Sequence, residues 1–409
     1  MKRKGFWITL SLVNLCIVAL LGMTLRTKFL FPIKFIDYKN FLSAHSHFAF
    51  GGWLTLALMI LFVDNLLSGD QKQKKIYQWI LWGIEITSLG MLITFPFQGY
   101  ALFSIIFSTA FIFITYGFSW VFIKDLQRAK KDRSIALLST SALLSLIISS
   151  VGPFTLAYML ATKTGNAFLY RDAIYTYLHF QYNGFFTLAV FALFFNQLPV
   201  FINDNVRKRV WYFALSLCVS VVPALFLSLL WHGYNIYVQA IALTGCVLII
   251  TSLVFFFRIV SNRKTYAPFI SPFGKTLLIC SMVSFVIKMF LQMGTIIPAL
   301  GNAVFGYRPI IIGFLHLVFL GFVSFYIFFN FVEAGVFAKA KRASIAALAC
   351  FTTAVILNET ILLVEGVGLM VYSTNQLYPW LLWLASIFLA AAALLILVAR
   401  LKNNQSTYE

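Results

Sequence analysis

Residues 44–63 read AHSHFAFGGWLTLALMILFV, a stretch of twenty residues that contains two histidines and no Asp, Glu, Lys or Arg. An α-helix rises about 1.5 Å per residue, so about twenty residues cross the roughly 30 Å hydrocarbon core of a membrane. The stretch is continuously apolar and does not alternate between apolar and polar residues, which favours a helix over a barrel strand. It therefore predicts a membrane-spanning helix with its histidines near one end.

Comparable apolar runs recur along the whole chain of 409 residues, of which 61% are hydrophobic and 11% charged. This composition leaves too little polar surface for a sizeable soluble domain. We expect an all-α, polytopic protein that forms a single integral membrane domain over residues 1–409. Its twelve predicted spans cover 6–26, 41–67, 77–96, 99–123, 134–160, 172–198, 209–231, 235–258, 274–295, 309–331, 343–366 and 377–400.

The net charge of +19 is distributed in a way that indicates membrane topology. Of the 31 Lys and Arg, 23 lie at the N-terminus and in alternate connections, seven lie in the opposite connections or at their membrane edge, and Lys288 lies within a span. The positive-inside rule then predicts cytoplasmic termini in a bacterial inner (plasma) membrane, with lipids rather than nucleic acid as partners. The basic residues assigned to the cytoplasm are Lys2 to Lys4, Lys72 to Lys75, Lys124 to Arg133, Arg207 to Arg209, Arg258 to Lys275, Lys339 to Arg342, Arg400 and Lys402.

One motif, His-x4-Gly-aromatic, occurs in the second, sixth and tenth spans, as HFAFGGW at 47–53, HFQYNGF at 179–185 and HLVFLGF at 316–322. Each copy would lie on the second helix of a block of four. The spacing predicts three pseudo-equivalent four-helix arcs, because membrane folds are often built by duplication. A chance recurrence is the alternative, since Gly and Phe are common in membrane helices. The predicted pseudo-repeats are 1–133, 134–266 and 267–409.

All five histidines fall toward the outer side in this topology, within a slab about 10 Å deep. Neutral imidazole is a ligand for haem iron, copper and zinc, and histidines on facing helices can hold a planar macrocycle. The alternative for any one of them is a hydrogen bond between helices. His45 and His47 are two residues apart, about 200° around a helix, so they are expected to face different groups. The other three are His179, His232 and His316.

Twelve spans, inside termini, three four-helix arcs and histidines near the outer ends of spans 2, 6, 7 and 10 resemble subunit I of the haem-copper oxidase superfamily, which includes cytochrome oxidases and nitric oxide reductases. The resemblance implies a low-spin haem, expected to be b-type, between His47 or His45 and His316. It implies copper at His179 and His232. An electron-donating cytochrome or quinol and accessory subunits are the implied partners, and electron transfer or the handling of O2 or NO at the outer face is the implied activity.

The chain departs from the family pattern at three places. Phe314 and Val318 flank His316, so the second histidine of the span 10 pair is absent. Gly233 follows His232 where the family has a second histidine, and Asn183 stands four residues after His179 where many oxidases have a tyrosine. A complete oxidase or nitric oxide reductase centre would make the protein an oxidoreductase. A related group of twelve-span haem- and copper-containing proteins linked to nitric oxide stress is also similar.

Several charged or amide side chains lie within or beside the predicted spans, where an isolated charge costs a few kcal/mol. Lys288 and Gln292 are four residues apart and form one polar face of span 9. We expect Glu359 and Glu365 of span 11 to contact that face, either as a proton path or haem-propionate anchor or as a structural ion pair. Glu85 is a further intramembrane carboxyl. The basic residues predicted at the outer rim, near haem propionates or as interfacial anchors, are Lys34, Arg171 and Arg308.

Two other functions are compatible with the same residues. A twelve-span solute or proton-coupled transporter without haem would use the histidines and Lys288 to bind or relay protons. The predicted spans 2, 6 and 10 have no paired Gly-Pro interruptions, which counts against this class. A membrane-embedded partner subunit without a cofactor is the third hypothesis.

Overall fold

The computed structural model describes residues 4–198, 203–233, 235–261, 270–337, 341–373 and 375–405. The described residues are helical and contain no strand, and twelve of their helices are long and apolar enough to cross a membrane, as predicted. Of the basic residues used for the topology, Lys2, Arg3, Arg263, Lys264 and Lys339 lie outside these ranges. We number the helices as spans 1 to 12: Lys4–Leu30, Tyr38–Leu66, Lys75–Gln98, Leu102–Arg128, Arg133–Ala161, Ala167–Gln197, Asp204–His232, Ile236–Val260, Pro272–Gly294, Arg308–Glu333, Arg342–Met370 and Leu377–Lys402.

Short polar side chains cap the beginnings of several spans. The Asp37 carboxylate accepts a hydrogen bond from the Asn40 backbone N–H at 2.8 Å, and the Ser271 hydroxyl accepts one from Gly274 at 3.1 Å. The first turn of a helix has backbone N–H groups without carbonyl partners, and these caps supply the missing acceptors. A separate short helix, Pro298–Gly306, lies between spans 9 and 10.

Spans 2, 6 and 10 contact one another, although more than one hundred residues separate each from the next. The other contacts are mainly between helices that follow each other along the chain, together with span 1 against span 12 and span 5 against span 7. Span 6 is the most enclosed, with 94% of its apolar stretch buried, followed by span 2 with 78%, whereas only 22% of span 4 is buried. The motif-bearing helices therefore meet inside the bundle.

Each His-x4-Gly-aromatic motif coincides with a π-helical segment, in which the backbone turn is one residue wider than in an α-helix. These segments are Ala49–Thr55, Phe180–Phe186 and Leu317–Ser324. They meet through three rings, with centroids 4.6 Å apart for Phe50 and Phe319, 5.5 Å for Phe186 and Phe319, and 5.8 Å for Phe50 and Phe186. Single π turns inside α-helices are frequent at functional sites.

The glycine of each motif contacts the span that precedes it. A Cβ on Gly184 would come within 2.3 Å of Ser145 Cβ in span 5, and one on Gly321 would come within 2.8 Å of Ser284 Oγ in span 9. In the first motif, the Gly52 carbonyl accepts a hydrogen bond from Asn14 of span 1 at 2.8 Å. Each motif glycine thus contacts the preceding span, through close packing against a serine in the second and third motifs and through a backbone hydrogen bond in the first.

The basic connections join one another at one end of the bundle. The Lys4 ammonium pairs with Asp64, Lys74 pairs with Asp125 at 2.5 Å, and Arg207 pairs with Asp132 at 2.9 Å. Arg400, near the end of span 12, donates to the Val336 carbonyl at 2.7 Å and to the Gly5 carbonyl at 3.4 Å. The beginning of span 1 and the end of span 12 are therefore adjacent.

A cavity of about 340 Å³ lies at this same end, between spans 1, 2, 6 and 10. Its polar lining includes Lys4, Asn65, Gln197, Asn330 and Glu333, and the remaining lining is mostly Leu, Ile and Phe. Several of these side chains already have partners, since Gln197 donates to Asn330 and Glu333 accepts from Ser271 at 2.6 Å.

Candidate functional site

His45 uses one ring nitrogen in a hydrogen bond within the protein and leaves the other available to bind a ligand. Its Nδ1–H donates to the Val18 carbonyl of span 1 at 3.1 Å. A carbonyl oxygen can only accept, so this contact fixes the tautomer and leaves the lone pair on Nε2. The ring lies against Gly22, where a Cβ would come within 3.2 Å of His45 Cε1. Histidine ligands of metals are commonly held by this type of Nδ1–H bond to a carbonyl.

His316 stands on span 10 at the last α-helical residue before the π segment. It lies near His45 and near Arg26 of span 1. Its Nδ1 is buried, and among the described residues it has no hydrogen-bond partner. A buried ring nitrogen without a partner is rare in proteins and calls for an explanation. One histidine of span 2 and one of span 10 are thus neighbours.

Arg26 of span 1 lies near both histidines of this pair. Arg26 lies near Tyr38, Arg308, Glu359 and Glu365. The Arg308 guanidinium donates to the Tyr38 hydroxyl at 2.7 Å and stacks over its ring at 4.8 Å. Arg308 therefore belongs to the group of residues around Arg26, and its position near haem propionates stays a prediction.

The predicted contact between the span 11 carboxyls and Lys288 is not among the contacts of the structure. Glu359 and Glu365 instead lie near Arg26, and one oxygen of Glu365 is buried without a described partner. Glu359 also accepts a hydrogen bond from Asn358 at 2.9 Å. Charge does not decide between the two, because Arg26 and Lys288 are both cationic, but Lys288 lies against span 6, where its ammonium donates to the Thr187 hydroxyl at 2.8 Å.

His47 faces span 3, away from His45, as its position about 200° around the helix predicts. Its ring stacks on Phe95 with centroids 4.6 Å apart, and its Nε2 is 2.8 Å from the Tyr100 hydroxyl. Burial raises the pKa of Tyr100 to about 12, so the phenol stays protonated at neutral pH. Of the two histidines on span 2, His45 is the one that lies beside His316.

His179 is fully buried and uses both ring nitrogens within the protein. Its Nε2–H donates to the Val221 carbonyl of span 7 at 2.7 Å, and its Nδ1 accepts from the Asn183 amide at 3.1 Å. This pair of contacts matches the other hypothesis for an intramembrane histidine, a link between helices.

His232 is exposed at the last residue of span 7 and binds a carboxylate. Its Nε2–H donates to Asp172 at 2.8 Å, and the Trp231 indole donates to the same carboxylate at 3.1 Å. Arg171 belongs to this group, because it stacks over Trp231 at 4.6 Å and donates to the Phe305 carbonyl at 3.2 Å. Arg171 is therefore placed with His232 rather than with His316. Lys34, the third predicted rim residue, is exposed.

The two histidines predicted to hold copper have different partners. Asp172, the partner of His232, precedes His179 by seven residues, about 10 Å along a helix. Within the described ranges, no three His, Cys, Asp or Glu side chains form a group that could hold an ion. The side chains as arranged do not fit a copper site at His179 and His232.

Lys288 and Gln292 are buried where span 9 meets span 6. The Lys288 ammonium is fully buried and donates to the Thr187 hydroxyl at 2.8 Å. Both polar atoms of the Gln292 carboxamide are buried without a partner among the described residues. Glu85 lies elsewhere, on span 3, and accepts from Asn14 at 2.8 Å, which ties spans 1, 2 and 3 together.

Four of these partners were not predicted from the sequence: Arg26, Asp172, Thr187 and Asn14. Arg26 is the last residue of the first predicted span, 6–26. Thr187 follows His179 by eight residues, and the helical period places the two on one face of span 6. This spacing could have identified Thr187 from the sequence. The other two became identifiable only through contacts between distant parts of the chain.

A scan against models of known protein families found no match, and a search of curated proteins found no matching relative.

Proposed function

We propose that the protein is a membrane-bound haem protein, related in architecture to the oxidase catalytic subunit, that transfers electrons or handles a diatomic gas at the outer face of a bacterial inner membrane. In this proposal both termini are cytoplasmic, and the twelve spans form three four-helix arcs whose second helices are spans 2, 6 and 10. The recurring contact of each motif glycine with its preceding helix supports the arcs, as do the three π segments. The distribution of Lys and Arg supports the orientation.

We infer that His45 and His316 would hold one b-type haem between spans 2 and 10. The observation that carries this inference is the pair of ring nitrogens: His45 leaves Nε2 free, and His316 has a buried Nδ1 without a described partner. Imidazole is a common axial ligand of haem iron, and facing helices of a bundle are a common place to hold it.

The groups around His45 and His316 have specific roles in this proposal. The Val18 carbonyl orients His45 and increases the basicity of its Nε2. Arg26 and Arg308 supply positive charge that would bind propionate carboxylates, and Tyr38 holds the Arg308 guanidinium. A haem bound there would supply reversible one-electron transfer. An electron-donating cytochrome or quinol, with accessory subunits, would complete the system.

Copper has no part in this mechanism. The resemblance implies it at His179 and His232, but each of these side chains is bonded to other protein groups. The proposed oxidoreductase activity therefore rests on the haem alone.

Haem and iron content measured on the full-length protein in detergent tests the proposal. The wild type is expected to contain about one haem per chain, with a reduced-minus-oxidised absorption difference. His45→Ala and His316→Ala are expected to lose the haem. His47→Ala is the matched control, because it lies on the same helix but faces Phe95 and Tyr100, and it should retain the haem. An iron-free, colourless wild type would contradict the proposal.

A solute or proton-coupled transporter without haem is the second candidate, and one observation favours it. Lys288 is buried within a span and hydrogen-bonded to a hydroxyl, and intramembrane charges often mark ion or proton pathways. Proton-coupled uptake into proteoliposomes by haem-free protein, abolished in Lys288→Met, would favour this candidate over the first.

A further inference from the structure

A small cavity lies between spans 6, 7, 8 and 9 in the interior of the bundle. Its polar lining consists of Asn183, Ser220 and Gln292, and the rest of its lining is Leu217, Val221, Ala224, Ile249 and Met289. Three atoms at this place are buried without a described partner: Asn183 Oδ1, Gln292 Oε1 and Gln292 Nε2. The Ser220 hydroxyl does not serve them, because it donates to the Leu217 carbonyl at 2.7 Å.

Such an arrangement is costly if the cavity is empty. A buried polar group without a hydrogen-bond partner destabilises a protein, and a bilayer offers no alternative partner. Asn183 and Gln292 are both about nine-tenths buried or more, with exposures of 6% and 5%. Two carboxamides facing one apolar-walled cavity therefore indicate a polar occupant.

The size of the cavity limits the occupant. The volume in which the centre of a water molecule can lie is about 10 Å³. About 10–15 Å³ on this measure holds one water molecule, and a buried water needs two to four polar partners. The cavity is too small for a solute larger than water, and its two carboxamides supply enough donors and acceptors for one water.

We propose that a single structural water occupies this cavity and bridges Asn183 to Gln292. The water donates one hydrogen bond to Asn183 Oδ1. With the Gln292 carboxamide it either donates to Oε1 or accepts from Nε2. It thereby connects span 6 to span 9 at the level of the π segment Phe180–Phe186.

The bridge has a consequence for His179. The water holds the Asn183 oxygen toward the cavity, so the Asn183 amide nitrogen points to His179 Nδ1, at 3.1 Å. The opposite ring nitrogen donates to the Val221 carbonyl at 2.7 Å. Gln292 thus acts as a positioning residue for a histidine on another helix. This inference does not depend on the proposed haem.

A double-mutant cycle on the full-length protein in detergent tests the bridge. Asn183→Leu and Gln292→Leu each leave the other carboxamide without its share of the water bridge. Each is therefore expected to lower the Tm by about 2–4 °C. The double variant removes both amides and the water, so its loss should be smaller than the sum. Gln181→Leu combined with Gln292→Leu is the control and should be additive, because Gln181 binds Ser149 instead.

A density map of the wild-type protein at a resolution that shows ordered waters tests the occupant directly, whether or not the variants fold. We expect one peak within about 3.5 Å of both Asn183 Oδ1 and the Gln292 carboxamide. Either an empty cavity in that map or additive Tm losses for Asn183→Leu and Gln292→Leu would overturn the proposal.

Discussion

At the scale of single residues, the histidines differ in what their ring nitrogens contact. His179 and His232 donate to a carbonyl and a carboxylate, and His47 contacts a phenol. His45 also binds a carbonyl, but through Nδ1, which leaves Nε2 available, and His45 lies near His316. The sequence placed all five near one membrane face but did not distinguish their roles, because the roles depend on backbone carbonyls of other helices.

Lys288 supports a prediction at the same scale. A buried charge is costly, and its replacement by an apolar residue of similar volume is often neutral or stabilising. We expect Lys288→Met to leave the Tm unchanged or to raise it, as measured by thermal unfolding in detergent. Thr187→Val keeps the ammonium but removes its acceptor, so it should destabilise the protein by about 1–3 kcal/mol. A larger Tm loss in Lys288→Met than in Thr187→Val would contradict this interpretation.

At the scale of elements, the π segments are the feature that the sequence did not predict. The twelve spans follow from hydropathy alone, and helix ends differ from the predicted runs by a few residues, as at Leu102–Arg128 against 99–123. Because these spans are continuously apolar, their hydropathy does not reveal the added residue of a π turn, which rotates the side chains that follow it by about 100°. Its position is set by contacts such as that between Gly184 and Ser145, which join separate helices.

The contact between Gly184 and Ser145 gives a test of this packing. Gly184→Ala would place a methyl group 2.3 Å from Ser145 Cβ, and we expect a loss of about 1–3 kcal/mol in the free energy of unfolding. Ser145→Gly removes the opposing atoms, so the double variant should recover part of that loss. Gly117→Ala is the control, since a Cβ there meets no atom within 4 Å. Equal Tm values for Gly184→Ala and Gly117→Ala would contradict the close packing of spans 5 and 6.

At the scale of the whole molecule, the chain brings together residues that are far apart in sequence. Trp53 donates to Ser324 at 3.0 Å and Arg308 donates to Tyr38 at 2.7 Å, although about 270 positions separate the members of each pair. Composition and hydropathy predicted a polytopic helical protein, and the triplicated motif indicated which helices would be equivalent. The partners across the bundle were not predictable, because one sequence carries no direct information about such distant contacts.

The membrane orientation yields a whole-molecule prediction. Gly69 lies in the connection between spans 2 and 3, and Gly165 lies between spans 5 and 6; a Cβ at either position meets no atom within 4 Å. With cytoplasmic termini, a membrane-impermeant maleimide should label Gly165→Cys in intact spheroplasts, and Gly69→Cys only after lysis. The five native cysteines all lie within spans, which keeps the background low. The reverse labelling pattern would contradict the orientation.

The central claim is that His45 of span 2 and His316 of span 10 bind one haem iron. The most direct test is near-infrared magnetic circular dichroism of the oxidised full-length protein, because this spectrum depends on the two axial ligands of a low-spin haem. We expect the signature of two imidazoles in the wild type and in His47→Ala. A spectrum without haem, or one from a haem whose ligands are not both imidazoles, would contradict it.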